Sequence, residues 1–363
     1  MPVIVARFAR GTPYRVPIGH SSGMACGLIA SLTVACTAPG PRDEVHLTLG
    51  FGGDIMLNQI PVRSRPFSGA RRVLGKPDVM FANLEVPLTD STNRTTRKTA
   101  AEIARRDQYV LRADPGHWAD FRASGIDAVS MANNHTMDYG PQGLSDMLSG
   151  LRKFRMPYAG AGANATSAGA PAVFTRKGTR IRLFSALAFM TRGALWKCGP
   201  ATDKAPGIAV INSESQTPEA RKAKLRRWLA QGKAENDVTI VALHWGLERK
   251  TVPTAFQVRL ARDLVDVGAD IVWGHHPHVL QGAEQYGDGL ILYSMGNLVG
   301  PRSGDTAIVE VGFSPEKNRQ HVSFIPVKYR SGRLSPGGGA NWSRLNDAIQ
   351  RQFPHPQSRR PGE

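Results

Sequence analysis

Cysteine is scarce in this chain: Cys26, Cys36 and Cys198 are the only three in 363 residues. That excludes a small disulfide-stapled scaffold, so the fold must rest on buried apolar surface. Acidic residues are also few, 29 against 46 lysines and arginines, which leaves a formal net charge of +17. The basic groups are spread along the chain with no zinc-finger or base-stacking motif, so nucleic acid is not an expected partner. Diffuse positive charge instead suits polyanions bound without sequence specificity, such as acidic lipid head groups, cell-wall polymers or a polyglutamate chain. There is no internal repeat and no long low-complexity tract, and 41% of the residues are hydrophobic. This composition fits one large α/β catalytic domain.

The longest apolar stretch near the start, Met24 to Ala35, is too short to span a bilayer comfortably but has signal-peptide length. Before it, Met1 to Ser22 carry Arg7, Arg10 and Arg15 and no acid. The run Leu32-Thr33-Val34-Ala35-Cys36 resembles a bacterial lipobox, with small Ala35 just before the cysteine. Cleavage there makes Cys36 a lipidated first residue on the outer face of the cell membrane; simple secretion and a true start at Met24 are the alternatives. The expected division is a signal peptide over 1–35, a tether over 36–44, a catalytic domain over 45–330 and a flexible basic tail over 331–363. Cys198, in WKCGP, reads as a loop or buried thiol rather than a nucleophile.

The chemistry concentrates at strand ends. In GADIVWGHHPHVLQG, from Gly268 to Gly282, an apolar strand stops in three histidines around one proline. Side chains alternate in an extended segment, and Pro277 pushes His276 toward extended geometry, so His276 and His278 are expected on one side. Four other apolar runs stop in the same manner: VHLTLGFGGD at Asp54, VMFANLE at Asn83 and Glu85, IDAVSMANNH at Asn133, Asn134 and His135, and VTIVALHWG at His244. Sites of α/β proteins collect at the carboxyl ends of strands, so these runs point to one mixed carboxylate, amide and imidazole site. Helical patterns at Pro115 to Ser124, Pro141 to Phe154, Pro218 to Lys233 and Ala255 to Gly268 intervene, each opening on a proline or a small residue.

The motifs GDIML (Gly53 to Leu57), NLE (Asn83 to Glu85), ANNHTMDYG (Ala132 to Gly140), HWG (His244 to Gly246), GHHPH (Gly274 to His278) and SMGN (Ser294 to Asn297) together resemble the CapA branch of the calcineurin-like metallophosphoesterase superfamily. These are the bacterial capsule or poly-γ-glutamate synthesis proteins, and the resemblance runs from about Val45 to about Tyr329. It implies a four-layer α/β sandwich, two central sheets flanked by helices, that binds one or two divalent ions (Mn, Zn or Fe). Asp54 and His278 would hold the first ion, Glu85 would bridge, and Asn134, His244 and His276 would complete the second. His135 takes the place of the catalytic histidine, with Asp138 either orienting it or capping the next helix. Asn83 and Asn297 are expected to face substrate. The superfamily opens with Asp-x-His, whereas here Asp54-Ile55-Met56 leaves the first ion one histidine short, so that it takes Asn58 or water instead, binds weakly or is absent.

The implied activity is that of an envelope-anchored hydrolase using metal-activated water, with His135 as general acid or base, in poly-γ-glutamate or capsule synthesis or release. A general phosphoesterase, a peptide epimerase and a non-catalytic scaffold of a membrane polymer synthase use the same motifs and stay open.

Overall fold

A computed structural model describes residues Ile4–Arg7, 45–189, 191–211, 216–314 and 320–337. Two mixed β-sheets form its centre. In the larger, Leu47–Ile55, Val79–Leu84, Ala128–Ser130 and Tyr158–Ala159 run parallel in that order, and Gly304–Phe313 and Gln320–Arg330 continue the sheet antiparallel on the other side. In the smaller, Thr179–Ala188, Val238–Trp245, Ile271–His275 and Gly289–Leu292 are parallel, with Ala172–Arg176 and Ala283–Tyr286 at the edges.

The parallel strands are near-continuous apolar runs because both of their faces are covered. Their inner faces meet around Trp273, whose ring contacts Phe51 and Phe81 edge-on at 5.6 and 6.1 Å. Trp273 Nε1 donates to Gly52 O at 2.9 Å, a buried hydrogen bond that ties one sheet to the other. Helix Gly140–Lys153 buries Leu144, Met147 and Leu151 in the cluster outside the larger sheet. Helices Pro218–Leu229 and Ala255–Asp266 bury Leu225, Leu229, Leu260 and Leu264 outside the smaller one. The result is the expected four-layer sandwich of helices, sheet, sheet and helices.

The helices fall where proline and small polar residues announce them. Thr217 and Thr254 cap the second pair, and Thr254 forms a capping box with Gln257. The basic run on Pro218–Leu229 is partly engaged in ion pairs. Arg221 and Lys222 pair with Asp263 and Asp266 at 2.5 and 2.6 Å and bind the two helices together, while Lys224, Arg226 and Arg227 stay exposed.

The ordered sheet also outlasts the domain end expected at 330. Arg333–Pro336 pairs antiparallel with Gln320–Arg330 and Leu334 is fully buried, so the first part of the expected flexible tail is a strand. Ile4–Arg7 pairs antiparallel with the same long strand, Ile4 opposite Phe324. The rest of the leader, Cys36, the tether and 338–363 lie outside the described residues.

Candidate metal centre

Asp54, next to last in its strand, lies where two distant motifs meet. The strand Asn297–Val299 pairs parallel with Leu47–Ile55, so SMGN lies beside GDIML with Asn297 opposite Asp54. The approach is close enough that a Cβ on Gly53 would stand 2.1 Å from Gly296 O. Only glycine allows the two backbones to lie so near. Asp54 N donates to the same carbonyl at 2.8 Å, which fixes the carboxylate's starting point.

Two carboxylates then stand buried side by side in opposite states. Asp54 has polar neighbours at both oxygens. Asn83 Nδ2 reaches its Oδ1 at 2.9 Å, His276 N reaches Oδ2 at 3.3 Å, and the Nδ1 atoms of His275 and His278 lie 2.9 and 3.2 Å from its two oxygens. Burial pushes the Asp54 carboxyl up, but His275 and His278 outweigh it and hold it well below the ordinary range. Glu85 is equally buried, yet neither of its oxygens has a hydrogen-bond partner. Burial, and then the charge of Asp54, drive its carboxyl well above the ordinary range.

An uncompensated buried carboxylate costs several kcal/mol, roughly, unless it is protonated or bound to a cation. The remaining donors are suited to a cation. Ligand atoms of Asp54, Glu85 and His244 all lie within 4.8 Å of one another. The His244 Nε2 atom is 3.9 Å from Glu85 Oε1 and 3.1 Å from His276 Nδ1. Burial, and then His276, hold the His244 imidazole well below its usual range, while burial and His278 bring His276 down to about 3, so both rings are neutral and able to ligate. His278 behaves in the opposite sense: burial pushes it down, but Glu85, Asp54 and Asn297 raise it to about 10. Asn134 Oδ1 and Asn58 Oδ1 are likewise buried without a partner. Imidazole with carboxylate and amide oxygen is a donor set for Zn, Mn or Fe(II), and it fits these residues.

The histidines reach the centre by a different route from the extended tract expected. The strand ends at His275, and His276 and His278 adopt left-handed backbones with φ of +93° and +56°. Alternation along a strand therefore does not place them. Such conformations cost about 1–3 kcal/mol each and persist where surrounding contacts force them. His275, expected only to flank the ligands, is fully buried against Trp273 with its ring 2.9 Å from Asp54. Asn83, expected at the substrate, is also buried: its amide holds Asp54, and its carbonyl accepts from Ser130 Oγ at 3.0 Å and Asn133 Nδ2 at 3.3 Å. Asn297 lies 2.8 Å from His278 Nδ1 and steers that ring.

His135 comes from the turn after Ala128–Ser130. The turn is built by Asn133, whose side-chain oxygen accepts from His135 N and Thr136 N at 3.0 and 2.9 Å while its amide donates to Leu84 O at 3.0 Å. His135 Nδ1 lies 2.7 Å from Asp138 Oδ2. The following helix has Tyr139 at its N-cap and no side-chain cap, so Asp138 is engaged with the histidine rather than with the helix. The other Asp138 oxygen receives the ammonium of Lys98, which is 3% exposed and also donates to Tyr109 O and Asn134 O at 2.9 Å each. Burial lowers the His135 imidazole; Asp138 raises it and Lys98 lowers it further, and the net direction is down.

Lys98 was hidden in the sequence, within a Thr/Arg/Lys cluster from Thr89 to Thr99 that reads as a mobile substrate lip. The segment is instead anchored by Thr89 on Asp146, Thr95 N on Asp138 O at 2.9 Å, and Lys98 itself. No pattern marks one lysine among so many bases as the buried one.

A four-layer α/β sandwich with a buried carboxylate and histidine centre at its strand ends defines the class. Residues 48–302 match the family model described as bacterial capsule synthesis protein PGA_cap, and the chain belongs to that family. It is 27% identical over 368 residues to the capsule biosynthesis protein CapA of Bacillus anthracis, covering 90% of this chain and 85% of that one. It is 28% identical over 275 residues to the PGA biosynthesis protein CapA of Bacillus subtilis, covering 74% and 68%. A probable polyglutamine synthesis accessory protein of Mycobacterium tuberculosis is 28% identical over 227 residues, covering 62% and 57%.

Proposed function

We propose that this protein is an envelope-anchored, metal-dependent hydrolase that acts on an anionic polymer, poly-γ-glutamate or a related capsule material, during its synthesis or release. The observation that carries the reading is Glu85, fully buried with both oxygens unpartnered beside Asp54 and His244. A divalent ion in that position supplies Lewis acidity to a carbonyl or phosphoryl oxygen and to water.

The chain's own residues supply the rest. Asp138 accepts the Nδ1 proton of His135, which fixes the tautomer and leaves Nε2 as the ring's free acceptor. A neutral imidazole held in this manner takes a proton from the nucleophile or returns one to the leaving group. Lys98 pairs with Asp138 and ties it to the Asn134 backbone, so base and metal ligands share one frame. Asn297 and Asn83 set His278 and Asp54. The net charge of +17 favours a polyanionic substrate, and the relatives named for capsule and PGA biosynthesis support that class. The lipobox-like run ending at Cys36 supports an anchor on the outer face of the membrane; processing there also removes the Ile4–Arg7 strand.

The test is an assay of the purified chain on γ-glutamyl peptides and on a phosphodiester, with and without chelator. Chelator-sensitive cleavage of the γ-glutamyl substrate, lost in His135→Ala, is the expected result. Cleavage of the phosphodiester alone points to a general phosphoesterase, and inversion at the α-carbon without cleavage to an epimerase. No turnover in any assay returns the chain to the accessory role named for the mycobacterial relative. Radiolabelled palmitate on wild type and absent from Cys36→Ala is expected for the anchor; equal labelling of both contradicts it.

A further inference from the structure

We propose that Glu248 is a metal ligand that, with His276 and His278, forms a second cation position at the mouth of the centre. The proposal rests on the metal-centre reading above and adds to it a residue that no motif resemblance supplies. The ligand atoms of Glu248, His276 and His278 lie within 4.8 Å of one another. Donors to one ion at about 2.1 Å stand about 3–3.5 Å apart, so a side-chain adjustment of roughly 1 Å closes the set.

The loop carrying Glu248 is fixed where such a role requires. One residue on, Arg249 N donates to Pro277 O at 2.8 Å, which pins the loop to the residue between the two histidines. Next, Lys250 O accepts from Gln281 Nε2 at 2.8 Å, and Gln281 is held in turn by Gln257, fully buried, at 2.9 Å. On the other side, Gly246 has a φ of +84° and packs so tightly on the Gln257 side chain that a Cβ would stand 2.7 Å away. These contacts hold a loop whose exposed carboxylate makes no ion pair or hydrogen bond among the described residues.

Two imidazoles and one carboxylate suit Zn, Mn or Fe(II), with His278 releasing its ring proton as the ion binds.

The test is calorimetric titration of the metal-free full chain with Mn(II), with bound ions counted by elemental analysis, for wild type, Glu248→Gln, Glu248→Asp and Glu85→Gln. Wild type is expected to take two ions. Glu248→Gln is expected to keep one and lose the other, or to bind it about 10- to 100-fold more weakly. Glu248→Asp, which keeps the carboxylate, is expected to fall between wild type and Glu248→Gln. Metal-free Glu248→Gln should unfold at the wild-type temperature, since its side chain supports no packing. Titrations of Glu248→Gln and wild type that coincide, with Glu85→Gln still impaired, overturn the Glu248 assignment and leave the centre intact. A wild type that binds no Mn(II) overturns both.

Discussion

Asp138 holds one oxygen 2.7 Å from Nδ1 of His135 while its other oxygen receives a lysine ammonium that has left solvent almost entirely. An orienting carboxylate of this kind matters only if the histidine handles protons. His135→Ala is expected to lower kcat about 10²- to 10⁴-fold with little change in KM. Asp138→Asn, which presents either an amide or the wrong tautomer partner, should lose about 10²-fold or more. Steady-state kinetics on the γ-glutamyl substrate separate the cases, and wild-type kcat in Asp138→Asn removes Asp138 from the mechanism.

Gly53→Ala forces a methyl against Gly296 O, where an ideal Cβ would stand 2.1 Å away. The strands that carry Asp54 and Asn297 must then separate. The cost is expected at about 1–3 kcal/mol in urea unfolding, with Mn(II) affinity falling in the same variant. Stability lost without any change in metal affinity contradicts the claim that this contact positions the centre.

Away from the centre, Asp237 anchors the start of Val238–Trp245 through Arg182 at 2.9 Å and Arg180 at 2.5 Å. Burial pushes its carboxyl up, but the Ala234 N–H and Arg180 pull it below the ordinary range. The folded value lies under the unfolded one, so this contribution is complete above about pH 3.9 and is lost as the pH falls through the folded value. Asp237→Asn should be less stable than wild type at pH 7, by roughly 3 kcal/mol, and the gap should close in strong acid. A gap independent of pH sinks the charge argument.

Cys198 donates to Ala194 O at 3.2 Å, and burial pushes its thiol up to about 12. Near pH 8.5 an ordinary thiol is about half ionised and reactive. Cys198 in the native chain is expected to resist iodoacetamide at that pH and to react fully in urea, as read by mass of its peptide. Native labelling at the free-thiol rate contradicts a buried, non-nucleophilic cysteine.

Much of this architecture was legible because strand ends advertise themselves. Apolar runs stopping at Asp54, Glu85, Asn134 and His244 locate the site, since carboxylate, amide and imidazole groups at the ends of several buried strands exceed what turn chemistry alone requires. The tract after Ile271–His275 was legible in its residues and not in its path, because the left-handed φ of His276 and His278 goes with tertiary contacts, His276 N with Asp54 and Pro277 O with Arg249 N. Lys98, Glu248 and the support role of Asn83 were not legible. Burial of one lysine, or the aim of one glutamate, depends on loops closing over residues far away in sequence, such as Asp138 and Pro277. The strand Arg333–Pro336 was missed because a single apolar Leu334 between polar neighbours gives too little alternation to outweigh Gly and Pro.

The central claim is that Glu85, Asp54 and His244 together hold a divalent ion. The most direct measurement is anomalous X-ray diffraction from crystals grown with Mn(II). A peak is expected about 2.0–2.2 Å from a Glu85 carboxylate oxygen and a His244 ring nitrogen, absent from Glu85→Gln crystals grown in the same way. Density with no anomalous signal there, and a Glu85 carboxyl bonded only to water, would contradict it.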